Sequence, residues 1–270
     1  MLIAQITDLH VKTPGKLAYG RVDTARFMAD CIESLLALKA VPDVVLVTGD
    51  LVDFGEPEEY RHLRTFIDRL PMPIYLVPGN HDGRDTLRAA FPDHPYLPET
   101  GFLHWVVEKY PVRLIGLDTL VPGESRGELC ADRLAWLEAT LSASDRPTLI
   151  AMHHPPFETG IGHMDRIGLT GAEAFAGLLE RFPQVCRVIC GHLHRPITML
   201  MGRAVVSTCS SPAHQVALDL RPDAESCFTM EPPGFDLHRW TGRGFLSHRA
   251  AIGAYPGPFP FFDPSGVLID

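Results

Sequence analysis

Five short apolar runs in this chain finish the same way, and that shared ending constrains the fold more than any other feature. "LIAQITDLH" (2–10) closes on Asp8 and His10, "VVLVTGD" (44–50) on Asp50, and "IYLVPGNH" (74–81) on Asn80 and His81. "LIAMHH" (149–154) closes on His153 and His154, and "RVICGHLH" (187–194) on His192 and His194. Short continuous apolar runs bounded by turn residues read as strands buried on both faces. Longer stretches with helical spacing alternate with them: 22–39, where Met28, Cys31, Ile32, Leu35 and Leu36 recur, and 56–70, with Tyr60, Leu63, Phe66 and Ile67 on one side. Further helix-like segments fall at 85–91, 131–141 and 172–182. This alternation predicts a layered α/β fold. In such sheets ligands bind beyond the carboxyl ends of the strands, where these polar residues are delivered.

After about residue 207 the texture changes. Strand-like runs at 204–208, 235–240 and 244–249 follow one another without helices, and the tail "AYPGPFPFFDP" is rich in proline and aromatic residues. The expected organisation is a catalytic core over 1–210, then a region over 211–270 of strands and a Pro/Phe-rich tail that completes the fold and contacts another subunit. A chain of 270 residues with 46% hydrophobic content buries a large core and needs no structural metal to fold. Any metal it binds is therefore expected to be catalytic.

The donors gathered at the strand ends are carboxylates, an amide and imidazoles, with no thiolate. That inventory suits a borderline or hard divalent ion such as zinc, manganese, iron or cobalt. Each piece alone is a weak signal: a D-x-H is often a strand cap and a G-D a common turn. G-H-x-H carries more, because alternate residues of an extended segment point the same way. Five pieces in matching strand-end context point jointly to a metal site. The formal net charge of -9 argues against binding nucleic-acid polymers. No apolar run approaches ~18 residues, so no membrane span is expected. The six cysteines are scattered without C-x-x-C spacing, which reads as reduced thiols in a cytoplasmic protein.

Taken in order, D-x-H, G-D-x-x-D, G-N-H-D, H-H-P-P and G-H-x-H, the motifs resemble those of the calcineurin-like metallophosphoesterase superfamily. They stand here as Asp8-His10, Asp50-Asp53, Asn80-Asp82, His153 and His192-His194. "YGRVD", "PEEY", "HMD", "ERFP" and "HQV" are similar to the bacterial class III cyclic-nucleotide phosphodiesterase and glycerophosphodiesterase branch. The resemblance implies a four-layer α/β/β/α sandwich of two mixed sheets with a β-rich C-terminal extension. It implies two divalent ions bridged by Asp50, with Asp8, His10 and His194 completing one site and Asn80, His153 and His192 the other. Purple acid phosphatases place a tyrosine ligand three residues after the bridging aspartate. Asp53 stands there in this chain, so divalent ions and no purple chromophore are expected.

The implied activity is hydrolysis of small phosphodiesters, glycerophosphodiesters or cyclic nucleotides, by a metal-activated hydroxide. His81, next to a ligand but not one itself, is expected to stabilise the phosphate and to donate a proton to the leaving oxygen. Asp53 and Asp82 are placed with it in the catalytic set, Asp53 as the residue that orients His81. His214, in "HQV", is a second catalytic candidate by resemblance alone. His154 is read as a residue that shapes the site rather than a ligand. His163 and Asp165 lie in the Gly-rich "TGIGHMDRIG" loop, which fits a substrate-facing loop and a solvated surface loop equally well. A homo-oligomer is expected from the branch resemblance. The rivals are a phosphomonoesterase with the same metals and an inactive scaffold of the same fold.

Overall fold

The computed structural model describes residues 1–269 of the 270. The first half runs β1 (Leu2–Ile6), α1 (Thr24–Leu36), β2 (Val44–Thr48), α2 (Pro57–Ile67), β3 (Ile74–Val77) and α3 (Arg84–Ala90). Next come β4 (Trp105–Val107), β5 (Arg113–Leu117), β6 (Gly127–Glu128), α4 (Ala131–Ser142), β7 (Thr148–Met152), α5 (Gly162–Asp165), β8 (Leu169–Thr170), α6 (Ala172–Arg181) and β9 (Val185–Cys190). The last strands are β10 (Thr198–Met201), β11 (Ala204–Thr208), β12 (Gln215–Val216), β13 (Phe228–Thr229), β14 (Gly234–Trp240) and β15 (Phe245–Ala251).

Two mixed sheets face each other, ordered β15-β14-β1-β2-β3 and β10-β11-β9-β7-β5-β4. The alternation of side chains along each strand explains the layering. On β1 and β2, Ala4, Ile6, Val45 and Val47 pack under the helices with Met28, Ile32, Tyr60 and Leu63. Their neighbours Ile3, Val44 and Leu46 turn the other way and meet Leu114, Leu149, Ala151 and Ile189 of the second sheet. The far faces of β5, β7 and β9 then pack Ile115, Ile150 and Val188 against Leu137, Leu141, Phe175 and Leu178. Helix, sheet, sheet and helix are thus four layers, each apolar face covered, as the family resemblance implied.

The inter-sheet layer is not purely apolar. Gln5 Nε2 donates to Thr48 Oγ1 at 2.9 Å and to the Cys190 carbonyl at 2.8 Å, tying the two sheets together near the site. Of the strands after residue 211, β12 and β13 pair with each other, whereas β14 and β15 enter the first sheet: β14 runs antiparallel to β1, with Ile3 opposite His238. His238 meets Gln5 Oε1 at 3.0 Å and joins the same buried polar chain. Register brings the polar strand ends together. Ile6 lies opposite Val47 and Thr48 opposite Val77, so the residues that follow emerge side by side.

Candidate metal centre

The backbone pays particular attention to five donors. Asp8, His10, Asp50, His192 and His194 have φ of 53°, 44°, 49°, 70° and 49°, in the left-handed region. Non-glycine residues there cost about 1–2 kcal/mol each and persist where surrounding structure holds them. The holding contacts are visible: Asp8 N–H donates to the Gly49 carbonyl at 3.0 Å, and Leu9 N–H to the Asp50 carbonyl at 2.8 Å. Room is made by glycine. A Cβ on Gly79 would lie 2.1 Å from Asp50 Oδ1, and one on Gly191 only 2.1 Å from Thr7 Oγ1.

Two donor clusters result. Asp8, His10, Asp50 and His194 each bring one donor atom within 4.8 Å of the others. His10 Nε2 lies 3.2 Å from His194 Nε2, and His194 Nε2 lies 3.4 Å from Asp8 Oδ1. In the second cluster Asn80 Oδ1 is 3.1 Å from both His153 Nε2 and His192 Nδ1. Asp50 Oδ2 stands between the two, 3.6 Å from His10 Nε2 and 3.4 Å from His153 Nε2. One carboxylate oxygen therefore serves both clusters.

The outward nitrogen of each imidazole decides what the inward one carries. His10 Nδ1 faces Asp53 Oδ1 at 3.2 Å, and His194 Nδ1 faces the His214 carbonyl at 3.0 Å. His153 Nδ1 faces the Thr48 carbonyl at 2.8 Å, and His192 Nε2 faces the Ile167 carbonyl at 3.1 Å. All four partners can only accept, so in each neutral ring the proton sits on the outward nitrogen and a lone pair points inward. Four imidazole lone pairs, Asn80 Oδ1 and two carboxylates then converge with no hydrogen between them. Asp8 Oδ2 is also buried without a hydrogen-bond partner among the described residues. Such a concentration of acceptors calls for positive charge among them, and the donor set fits two divalent ions.

Electrostatics divide the four rings: against burial, the Asp50 charge raises His153 to about 9, and Asp53 and Asp50 raise His10, so without a cation these two rings take up the proton that a metal ion would displace. Burial works to raise the Asp50 carboxyl, but His153 and His81 overrule it and hold it well below the usual range. Burial raises Asp8 to about 6, with the Asp50 charge adding to the effect. Burial also presses His192 and His194 down to about 3, helped by His153 and by His10 respectively, so both rings stay neutral.

The residues around the clusters line a cavity of about 370 Å³. His81 is on its wall, about a third exposed; its Nδ1 donates to the Asp53 backbone carbonyl at 2.7 Å. The Asp53 carboxylate does something else than expected. It lies 3.9 Å from His81 Nδ1 and instead takes His10 Nδ1 and, at 2.6 Å, Lys12 Nζ. The expectation that this side chain orients His81 is thus corrected: the backbone carbonyl does so, because the carboxylate is already committed. Asp82 sits behind the loop rather than on the cavity, accepting from Gly79 N–H at 2.8 Å, Leu51 N–H at 3.2 Å and the Tyr60 hydroxyl at 2.8 Å. His214 reaches the cavity wall, its ring centroid 4.6 Å from that of His194, and burial with the neighbouring His194 and His10 holds it neutral, down to about 2. His154 stacks near His192 but has no lone pair to offer. Its Nδ1 pairs with Thr119 Oγ1 at 2.8 Å and its Nε2 with the Ser125 carbonyl at 3.2 Å.

The calcineurin-like phosphoesterase family profile matches residues 1–196. The chain belongs to that family. It is 43% identical, over the full length of both chains, to a probable glycerophosphodiester phosphodiesterase of Arcobacter nitrofigilis. It is 34% identical, over 96% of this chain and 94% of the other, to a probable cyclic nucleotide phosphodiesterase of Rhodopseudomonas palustris. A dimetal phosphatase from Danio rerio superposes with a TM-score of 0.63 at 15% identity, covering 93% of this chain and 99% of that one, a likeness of fold. In a member of this family, the His and Asp clusters suit a dinuclear divalent-metal site.

Some parts of the calcineurin-like site were missed from the sequence. The carbonyls of Thr48, Ile167 and His214 orient three of the four imidazoles, and a backbone oxygen carries no residue-type signal. The far wall of the cavity comes from Tyr19, Ser125 and the segment Ser226–Phe228. Tyr19 was marked only by "YGRVD"; its phenol, pushed up to about 12 by burial and the Asp53 and Asp50 charges, stays protonated.

Proposed function

We propose that this family member is a phosphodiesterase acting on small diesters, glycerophosphodiesters or cyclic nucleotides, with seven ligands: Asp8, His10, Asp50, Asn80, His153, His192 and His194. The observation that carries the reading is Asp50 Oδ2 placed between two clusters of inward lone pairs. Two divalent ions bound there would supply Lewis acidity towards phosphoryl oxygens and a nucleophile at neutral pH. Nitrogen and oxygen donors without thiolate favour iron, manganese, zinc or cobalt.

The chain's own residues supply the rest. His81, oriented by the Asp53 carbonyl, presents Nε2 to the cavity and, when doubly protonated, donates to the leaving oxygen. His214 is a second group on the wall, neutral and therefore suited to accept or relay a hydrogen bond rather than to neutralise charge. Asp53 and Asp82 act as positioning residues, one through His10, the other through the loop carrying Asn80 and His81. No lysine or arginine lines the cavity among the described residues, while Met164, Ile167, Val216 and Phe228 do. A dianionic monoester would gain no lysine or arginine here beyond the two ions, whereas the extra ester arm of a diester finds an apolar wall. This favours diesters over the phosphomonoesterase reading.

The test is turnover of glycerophosphodiesters, 3′,5′-cyclic nucleotides, an aryl diester and its monoester after reconstitution with single divalent metals. Faster monoester than diester turnover, or protein that takes up no more than trace metal, would refute the proposal. We also propose a cytoplasmic homo-oligomer. Its support is six free cysteines and the aromatic tail, where Phe259 and Phe261 are 75% and 78% exposed. Among the described residues no helix is long and apolar enough to cross a membrane. Sedimentation of the full chain against a variant lacking 255–270 tests the tail's part in assembly.

A further inference from the structure

We infer that His163 is a substrate-contacting residue that selects diesters whose unreacting ester arm carries a hydrogen-bond acceptor, such as a hydroxyl oxygen. Among the described residues only two buried histidines on the cavity wall, His163 and His214, leave Nδ1 without a hydrogen-bond partner; the His214 ring lies against His10 and His194, whereas His163 stands apart from the metal-centre rings. His10, His192 and His194 are committed to the metal site, and His214 lends its carbonyl to His194. His163 is 9% exposed, lines the cavity, and buries Nδ1 with no hydrogen-bond partner among the described residues. An unsatisfied buried polar atom costs about 1–3 kcal/mol. An apolar residue of similar size would avoid that cost if packing were the only purpose.

The segment that carries His163 is held firmly. Asp165 Oδ1 accepts from both Thr159 N–H and Thr159 Oγ1 at 2.7 Å, and Oδ2 accepts from Gly160 N–H at 2.9 Å. Ile161 and Met164 anchor α5 in a small apolar cluster with Leu193 and Val216, and Ile167 packs against it. The Ile167 carbonyl orients ligand His192, so α5 is tied to the metal centre as well. A polar ring so placed is pre-organised rather than left to solvent. An occluded Nδ1 without an acceptor favours the proton on Nε2, which makes the ring a donor.

The location assigns the partner. The anionic phosphoryl group is drawn to the cations and to His81. His163 instead belongs to the wall built with Met164, Ile167 and Val216, along which an ester arm would lie. A single donor in that wall discriminates arms that carry an oxygen from those that do not. The inference rests on the phosphodiester reading and extends it to the second arm.

The experiment compares wild type, His163→Ala and His163→Gln on glycerophosphoethanolamine and on ethyl 4-nitrophenyl phosphate, whose ethyl arm has no hydroxyl. The binding constants of glycerol 3-phosphate and inorganic phosphate are measured on the same proteins. Loss of one neutral hydrogen bond should lower the ratio of the two kcat/KM values about fivefold in the alanine variant, mainly through KM. Glutamine, whose amide nitrogen can stand in for Nε2, should restore much of the ratio. The preference for glycerol 3-phosphate over phosphate should fall by a similar factor in the alanine variant. An unchanged ratio and an unchanged preference, with both diesters turned over, would overturn this inference alone. Failure of the wild type on both diesters would overturn it together with the phosphodiester reading.

Discussion

Replacing Asp53 by asparagine is the sharpest test of how the proposed metal centre is organised, because among the described residues Asp53 is the one outer partner of a proposed imidazole ligand that is itself a side chain. Its Oδ1 takes His10 Nδ1 at 3.2 Å, and its Oδ2 takes Lys12 Nζ at 2.6 Å. Burial opposes the charge, but the His10 and Lys12 contacts hold the carboxyl down at about 2, so it is ionised throughout the working range. Asparagine keeps the shape and removes the charge. A hydrogen bond to an ionised group exceeds a neutral one by about 1–1.5 kcal/mol, or roughly tenfold in ion affinity at the cluster holding His10. Lys12 would also be left uncompensated, its side chain only 11% exposed, adding a positive charge beside a cation site. The two effects act in the same direction, so a loss nearer a hundredfold than tenfold is expected, within the range for outer partners of metal-bound histidine. Elemental analysis during titration with a chelator should show the variant falling from two ions to one where wild type still holds two. The cluster of Asn80, His153 and His192 should keep its affinity. Equal weakening of both ions, or no weakening at all, would refute the assignment of His10 and Asp53 to one shared site.

Other expectations follow from the same geometry. His81→Ala should retain both ions by elemental analysis yet lose about 10²–10⁴-fold in kcat on diesters with poor leaving groups; wild-type turnover there would exclude a role as proton donor. Gly79→Ala must displace backbone, because the new Cβ falls 2.3 Å from Asp50 N, and should cost about 1–3 kcal/mol in urea unfolding together with metal occupancy. His104 offers a pH test away from the metals. Burial, with Arg133 and Arg84 opposing the charge, lowers it from 6.5 to about 4. A base with a depressed folded pKa lends stability above its unfolded value that is lost as pH falls, here from about 6.5 through about 4, by up to about 3 kcal/mol. His104→Gln should flatten that part of the urea-midpoint profile, since its amide oxygen can still accept from Asp118 N–H; an identical profile would count against the buried neutral ring.

Much of this architecture is legible in the amino-acid sequence. The strand ends were legible because apolar runs and donors are adjacent in sequence, so Asp50 and His153 announce themselves by what precedes them. The helices fell close to their expected places; 56–70 became Pro57–Ile67, where the apolar spacing is strongest. Less could be said where distant segments meet. The pairing of β14 with β1 places Ile3 beside His238, a contact between residues 235 positions apart that no local pattern marks. Asp53 was recognised by its place in G-D-x-x-D, but spacing does not say which histidine its carboxylate will take. His154 is set apart from its neighbour His153 in the sequence only by the family resemblance, and the physical reason is that Thr119 and Ser125 occupy both its nitrogens.

The left-handed backbone at five of the seven proposed ligands has a consequence beyond catalysis. Conformations that unfavourable on their own hold only while the sheets behind them stay rigid, so the site reads out the condition of the whole sandwich. Substitutions deep between the sheets, far from any ion, should relax these loops first. Catalytic failure would then precede any measurable unfolding, making this centre an early casualty of damage elsewhere in the molecule.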